Sequence, residues 1–156
     1  MKRLSLILLS AACFALGMAT AMAQDKYPSR PVKVIVPYAP GEYLFDFGTV
    51  AKIMGGPAYS TAHGPCVEGD RMIVGLMRMT AGTGAEPHSH PNEQWIYVLE
   101  GTFHATIDGK QVDVKPGSVA YIPANTIHAG KATADGDVVF FTVKDASYGL
   151  HGIKAT

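Results

Sequence analysis

Apolar and polar residues alternate with a period of two along most of the chain after residue 70. The segments with this pattern are RMIVGLMRM, QWIYVLEGTFHATID, QVDVK, VAYIP and VVFFTVKD. Because successive side chains of a strand point to opposite faces, the alternation predicts β-strands with one buried face. Short turns separate the segments, among them DGK, in which Gly109 can take a positive φ. No helical period lies between them, so the pattern predicts an all-β fold, an antiparallel sandwich or small barrel.

The pattern is mixed between residues 42 and 67. FDFGTVAKIM predicts either a short helix or an irregular arm, and GGPAYSTAHGP predicts a loop. The whole chain of 156 residues contains 17 glycines and 10 prolines, which are spread between the apolar segments. This composition indicates a single domain in which many turns connect short strands.

The first 23 residues have the features of a signal peptide. MKR is basic, LSLILLSAACFALGM is apolar, and AMA before Gln24 is a small-residue cleavage site. We therefore expect cleavage after Ala23 and a periplasmic or secreted protein. The apolar run is too short for a convincing membrane span, so no membrane association is expected after cleavage.

Residues 24–43 are predicted to form an N-terminal arm with an edge strand, PVKVIV, between two prolines. The stretch from Tyr27 to Gly41 also resembles the start of the mature periplasmic binding proteins of tripartite tricarboxylate transporters. Glu42 ends the resemblance, because that family usually continues with a second glycine. Our interpretation is a leader and first strand fused to an unrelated domain, residues 44–156, and chance similarity is the alternative. No ligand-binding function is transferred from those proteins.

Charge and cysteine content exclude several classes of function. The chain has 13 basic and 13 acidic residues, a formal net charge of zero, and no basic stripe. Nothing in this balance favours nucleic acid as a partner. The two cysteines, Cys13 and Cys66, are too few for a disulfide scaffold and do not form a CxxC motif.

Candidate chemistry is concentrated in EPHSHPNEQWIYVLEG, where two histidines stand one residue apart. On a strand, His88 and His90 leave the same face, so both imidazoles can converge on one metal ion. The surrounding residues form two spaced sets. The first reads G-x5-H-x-H-x3-Q-x6-G and ends at Gly101, and the second reads G-x5-P-x-N-x2-H and ends at His128.

These two sets resemble the two motifs of the RmlC-like cupin superfamily, in the right order and spacing, and the chain resembles its small single-domain bacterial members. Gln94 stands where the family usually has Glu, Asn125 replaces a glycine, and Ala132 replaces the final asparagine. The resemblance implies a jelly-roll barrel of antiparallel strands, a homodimer, and a metal inside the barrel. The implied metal ligands are His88, His90, Gln94 and His128.

Three neutral imidazoles and an oxygen donor suit a divalent transition metal such as Fe, Mn, Ni, Cu or Zn. The family spacing and the shared parity with His88 and His90 favour Gln94 over the adjacent Glu93 as the fourth ligand. A neutral Gln94 leaves the metal its full dipositive charge, which favours Lewis-acid chemistry and an anionic or enolisable substrate. Glu93 is then a candidate catalytic acid/base residue beside the metal, and a solvated carboxylate at the rim is the alternative.

If Gln94 points inward, Ile96 and Val98 do so too and form an apolar floor. We also expect most of the strand aromatic residues to fill the core, namely Trp95, Tyr97, Tyr121, Phe140 and Phe141.

Together these features predict an exported metalloenzyme that acts on a small organic substrate, such as a diketone, an aromatic compound or a hydroxy or keto acid. The reaction would be a dioxygenation or a Lewis-acid lyase or isomerase reaction. The alternative is a non-catalytic module that binds a metal and a small ligand, because cupins include both enzymes and binding proteins.

Overall fold

The structure is a computed structural model that describes residues 43–156, so the predicted signal peptide and almost all of the N-terminal arm lie outside the described residues. Residues 43–156 form eleven strands and no helix. In chain order the strands are β1 (Lys52–Met54), β2 (His63–Glu68), β3 (Met72–Met79), β4 (Gly84–Ser89), β5 (Gln94–Glu100), β6 (Phe103–Ile107), β7 (Lys110–Val114), β8 (Val119–Ile122), β9 (His128–Ala132), β10 (Val138–Asp145) and β11 (Ile153–Lys154). Within this range no helix is long and apolar enough to span a membrane.

The strands are arranged in two antiparallel sheets. A six-stranded sheet has the order β1-β2-β3-β10-β5-β8, and a five-stranded sheet has the order β11-β4-β9-β6-β7. Several strands that follow each other in sequence, such as β3 and β4, lie in different sheets, which is the connection pattern of a jelly roll. The predicted all-β antiparallel jelly-roll fold is confirmed.

The interior of the barrel changes from apolar to polar along its strands. Burial alternates through all eight residues of β10, so that Phe140, Thr142 and Lys144 all face inward. On the neighbouring β5, Gln94 lies opposite Lys144, and Val98 lies opposite Phe140. The polar inward residues of both strands therefore stand at the same end, while Phe140 and Val98 belong to the apolar core.

The predicted turn chemistry is confirmed at the DGK hairpin, and the second histidine motif also contains a residue with a positive φ. Asp108 (φ 51°) and Gly109 (φ 72°) connect β6 to β7 with the two positive φ angles of a tight hairpin turn. Asn125 has a φ of 60°, so asparagine adopts the left-handed conformation at the position where the motif usually has glycine.

Two local expectations need correction. Of the two alternatives for FDFGTVAKIM, the helix is wrong: residues 45–51 are irregular, and the segment ends in β1, which pairs with β2, while β2 in turn pairs with β3. The expected loop before residue 66 is also partly strand, since β2 begins at His63. Pairing with an available sheet edge decided both elements, and the short local sequence carries little of that information.

The aromatic residues also divide differently from the prediction. Phe140 is buried, and Phe141 is only partly buried. Trp95, Tyr97 and Tyr121 are 39–47% exposed, because the alternation that turns Gln94 inward turns them outward. Trp95 and Tyr121 instead stack on each other on the outside of the six-stranded sheet, with ring centroids 4.5 Å apart.

Candidate metal centre

Both sheets contribute to a cluster of buried histidines. His88 on β4 and His128 at the start of β9 are direct cross-strand partners in the five-stranded sheet. His90 follows the end of β4, and Gln94 begins β5 in the six-stranded sheet. All three histidines are buried, and one ring nitrogen of each lies within 4.8 Å of the other two. Such a group could hold a metal ion, as the sequence predicts.

The orientation of each imidazole is fixed by the same kind of hydrogen bond. In all three histidines Nδ1 lies 2.7–2.8 Å from a main-chain carbonyl oxygen two residues away in sequence. A carbonyl only accepts, so Nδ1 must carry the proton and donate it. The lone pair is therefore on Nε2, and this pattern is typical of histidines that bind metals.

The three rings are held in the neutral form that metal binding requires. Burial lowers the pKa of His88 to about 4, assisted by His90 and Lys144. Burial and the neighbouring His88 lower the pKa of His128 to about 3. The pKa of His90 is also lowered, first by burial and then by Lys144. At neutral pH protons therefore do not compete with a metal for these nitrogens.

The side-chain amide of Gln94 is oriented by a relay of two hydrogen bonds. Thr142 Oγ1 donates its proton to the carbonyl of Trp95 (3.2 Å), and it accepts a hydrogen bond from Gln94 Nε2 (2.8 Å). Since the hydroxyl has only one proton, the NH2 end of the amide must face Thr142. The amide oxygen, Oε1, then points to His90 and lies 3.0 Å from its Nε2.

This contact tests whether the site fits a cation. A neutral His90 has one proton, and the 2.7 Å bond from Nδ1 to the Asn92 carbonyl requires it. Nε2 of His90 and Oε1 of Gln94 are then two lone-pair acceptors at 3.0 Å, an unfavourable contact unless a cation lies between or beside them. A divalent metal that accepts both lone pairs removes the conflict, so the donor set fits such an ion.

The other side chains that the sequence analysis singled out lie outside the histidine cluster. The carboxylate of Glu93 is exposed and accepts a hydrogen bond from the Tyr121 hydroxyl (2.9 Å) on the outside of the sheet. Glu93 does not line the cavity described below, and its acid/base role stays a prediction without support from this geometry. The remaining histidines, His63, His104 and His151, are partly or fully exposed and stand apart from the cluster.

Besides Thr142, the sequence analysis missed two residues beside the histidines. Lys144 is only 3% exposed, and its Nζ donates to the Leu150 carbonyl (2.7 Å); burial lowers the pKa of this ammonium to about 8. The available signal was parity, because Lys144 continues the inward positions of β10. The Tyr59 ring packs on His88 with centroids 4.4 Å apart, and its hydroxyl accepts from the Gly152 N–H (2.6 Å). No sequence signal identified Tyr59.

A small cavity connects these groups. Its polar walls include His88, Gln94, His128, Thr142 and Lys144, and its apolar walls include Met77, Met79, Ile96, Phe103, Phe140 and Leu150. About 60 Å³ is open to the centres of water molecules. Since one water needs roughly 10–15 Å³ by this measure, the cavity has room for a molecule of about five heavy atoms.

The described residues thus combine a barrel of two sheets with inward-facing histidines that come from the two spaced motifs. Residues 75–144 match the family described as "Cupin domain". The chain therefore contains a cupin domain, and the resemblance found in the sequence is confirmed.

Comparison with individual proteins gives more distant relatives. The chain is 26% identical over 74 residues to a 5-nitrosalicylic acid 1,2-dioxygenase from Bradyrhizobium sp, covering 47% of this chain and 36% of the relative. It is 31% identical over 65 residues to dimethylsulfoniopropionate lyase DddW from Ruegeria pomeroyi, covering 42% of this chain and 43% of the relative. The matches thus span less than half of either relative. Among solved structures, the polyketide cyclase RemF from Streptomyces resistomycificus superposes with a TM-score of 0.63 and is 20% identical in sequence. The superposition covers 74% of this chain and 86% of RemF, which shows a common fold.

Replacing Thr142 should weaken metal binding without unfolding the barrel. Thr142→Val keeps the shape of the side chain but removes the acceptor that holds Gln94 Nε2, so the amide oxygen loses its fixed direction. We expect metal affinity to fall about 10- to 100-fold, as is usual when a partner that orients a ligand is lost. Competition with a chromogenic chelator measures this, and Thr106→Val on β6 is the matched control. Equal affinities in the two variants would show that the relay is unimportant.

The metal-free protein should lose stability as pH falls below about 6.5. The pKa values of His88 and His128 are about 4 and about 3 in the folded protein, against 6.5 for an unperturbed histidine. Between these values the unfolded chain binds more protons, so the free energy of unfolding decreases toward acid pH. Urea unfolding of the metal-free protein between pH 7 and pH 4 measures the slope. A His128→Gln variant should show a shallower slope, and an unchanged slope would contradict the assignment.

Proposed function

We propose that this protein is a metal-dependent enzyme in which His88, His90, Gln94 and His128 bind one divalent transition metal, Fe, Mn, Ni, Cu or Zn. The observation that carries the proposal is the convergence of three neutral imidazoles with the oxygen of Gln94, whose contact with His90 Nε2 at 3.0 Å calls for a cation. A structural zinc site would instead be closed and usually rich in cysteine. Here His88, Gln94 and His128 border a cavity, so a small molecule can reach the centre.

A bound metal would supply Lewis acidity toward a coordinated oxygen, or a place for dioxygen beside the substrate. The protein supplies the rest. Neutral Gln94 leaves the positive charge of the centre undiminished, which increases its pull on an anionic or enolisable group. The apolar walls exclude bulk water and raise the strength of every charge in the cavity. Thr142 and the main-chain carbonyls keep the donors in place during turnover.

The size and lining of the cavity favour a small organic substrate. The mostly apolar walls suit a diketone, an aromatic compound or a hydroxy or keto acid better than a sugar, and room for about five heavy atoms favours the small acids among these. The names of both relatives contain an organic acid, a nitrosalicylic acid in one and a propionate in the other. They also name the two reaction types that we consider, dioxygenation and lyase chemistry.

The alternative function is a binding module that holds a metal and a ligand without turnover. The cavity and the donor set would be the same, because fold and site geometry do not distinguish binding from catalysis. Only the fate of the bound molecule separates the two functions.

We further propose that the protein is exported, with cleavage after Ala23, and that it forms a homodimer. The composition of the first 23 residues supports export. The unpaired outer edges of β8 and β7 in the described sheets are compatible with association between copies. The mass of the periplasmic protein tests the first point, and an N-terminus other than Gln24 would contradict it. Sedimentation of the purified protein tests the second, and a monomer at micromolar concentration would contradict it.

The ligand set predicts which variants lose metal. His88→Ala and His128→Ala should each reduce bound metal from about one ion per chain to near zero, because each removes a donor that the buried site cannot replace. Elemental analysis after dialysis against metal-free buffer measures this. His104→Ala is the matched control, because His104 points away from the cavity and pairs with Asp113 on β7. Full metal content in the His88 or His128 variant would refute the site.

The reaction type is tested on the same proteins. Protein loaded with Fe(II), Mn, Ni or Zn is incubated with a panel of diketones, catechols and hydroxy and keto acids, while oxygen uptake and products are recorded. Oxygen consumption that requires the metal and is lost in His88→Ala supports a dioxygenase, and turnover without oxygen supports a lyase or isomerase. Tight binding without any turnover across the panel would refute the enzyme and favour the binding module.

A further inference from the structure

Lys144 places a buried positive charge in the cavity of the proposed metal centre. Its side chain is 3% exposed and lines the same cavity as His88, Gln94 and His128. Main-chain pairing sets this position, because Lys144 on β10 lies opposite Gln94 on β5. The lysine therefore belongs to the polar end of the barrel, next to the metal ligands that we propose.

No carboxylate lies among the described residues that line the cavity beside Lys144. The adjacent Asp145 attracts the ammonium through its charge, but its carboxylate accepts hydrogen bonds from the main-chain N–H groups of Glu93 and Ser147 and does not line the cavity. Glu93 accepts a hydrogen bond from Tyr121. With three neutral histidines, a neutral glutamine and no carboxylate in the lining, a dipositive metal beside Lys144 would leave the cavity with a net positive charge.

Such a concentration of positive charge in an apolar barrel is costly unless an anion enters. Burying an ammonium is unfavourable in protein interiors, and a nearby metal ion adds repulsion. A structural role alone does not explain the choice of lysine, since a methionine of similar size would fill the same space without this cost.

The ammonium of Lys144 can donate more hydrogen bonds than the protein accepts from it. An ammonium group donates three hydrogen bonds. Among residues 43–156, the Leu150 carbonyl is the one acceptor found for Lys144 Nζ, at 2.7 Å. Leu150 follows β10 in the chain, so this bond ties the lysine side chain to the segment after the strand. Two further donors are left for a ligand in the cavity.

We propose that the site takes an anionic substrate, a small carboxylic acid, whose carboxylate is bound by Lys144 while a second oxygen of the same molecule faces His88, Gln94 and His128. Lys144 is then the residue that selects an acid over the corresponding neutral compound. The inference rests on the proposed function, because the second oxygen needs the metal centre. The small volume of the cavity agrees with a two-point fit, in which both oxygens belong to one compact molecule.

The test compares two probes of the same size and shape, in which the charged carboxylate of one is replaced by a neutral amide in the other. Pyruvate and pyruvamide have the same heavy-atom skeleton and the same keto oxygen, but only pyruvate is an anion. Each is titrated into the Co(II)-loaded full-length mature protein, and binding is followed by the visible Co(II) spectrum. The same titrations are made on Lys144→Met and on Lys131→Met, an exposed lysine of β9 that serves as the matched control.

We expect the wild type and Lys131→Met to bind pyruvate more tightly than pyruvamide. In Lys144→Met the affinity for pyruvate should fall about 10- to 100-fold, the usual effect of losing a charge-assisted hydrogen bond, while the affinity for pyruvamide stays the same. Lys144→Arg should recover part of the preference for the acid. Lys144→Met should also unfold at the same temperature as the wild type or above it, because a buried charge is gone.

Each other outcome has a definite meaning. If wild type and Lys144→Met prefer pyruvate equally, or if wild type binds neither probe although it holds one Co(II) per chain, the proposed role of Lys144 is wrong and the metal centre stands. If the wild type holds no Co(II), the proposed function itself fails. If Lys144→Met unfolds at a much lower temperature and Lys144→Arg restores stability without the preference for the acid, Lys144 has a structural role only.

Discussion

The hydrogen bonds from three histidine Nδ1 atoms to main-chain carbonyls are the constraint on which this site depends. Each carbonyl belongs to a residue two positions from its histidine, so the strand or turn that carries the ring also orients it. The bonds fix the tautomer and aim the three Nε2 lone pairs into the barrel. Burial keeps the rings neutral. The backbone thus prepares the donor set before any ligand arrives, which reduces the cost of ordering it on binding.

The barrel surrounds this donor set with an uneven interior. Toward one end the inward side chains are apolar, as at Val98 and Phe140, and toward the other they are Gln94, Thr142 and Lys144. The apolar part provides the burial that stabilises the sheets. The polar part contains uncharged donors and one cation but, among the described lining residues, no carboxylate. The apolar end of these strands therefore provides stability, and the polar end provides the candidate chemistry. The positive charge of Lys144 favours an anionic ligand.

Much of this arrangement could be predicted from the sequence, because it depends on local rules. Alternation predicted that Ile96 and Val98 face inward with Gln94, and both are buried. The same rule should have excluded Trp95 and Tyr121 from the core, and their exposure follows from their parity. Parity indicates that Lys144 faces inward, but its nearness to Gln94 could not be predicted, because it comes from pairing between strands 50 residues apart. The β1 strand was missed for a similar reason: it exists through its contact with β2.

X-ray absorption spectroscopy of the metal in protein isolated from its native source tests the central claim most directly. The account predicts about one first-row transition metal per chain, with scattering from three imidazole rings and from further oxygen ligands at about 2.0–2.2 Å. Sulfur scattering, a single imidazole, or a protein without metal would contradict it.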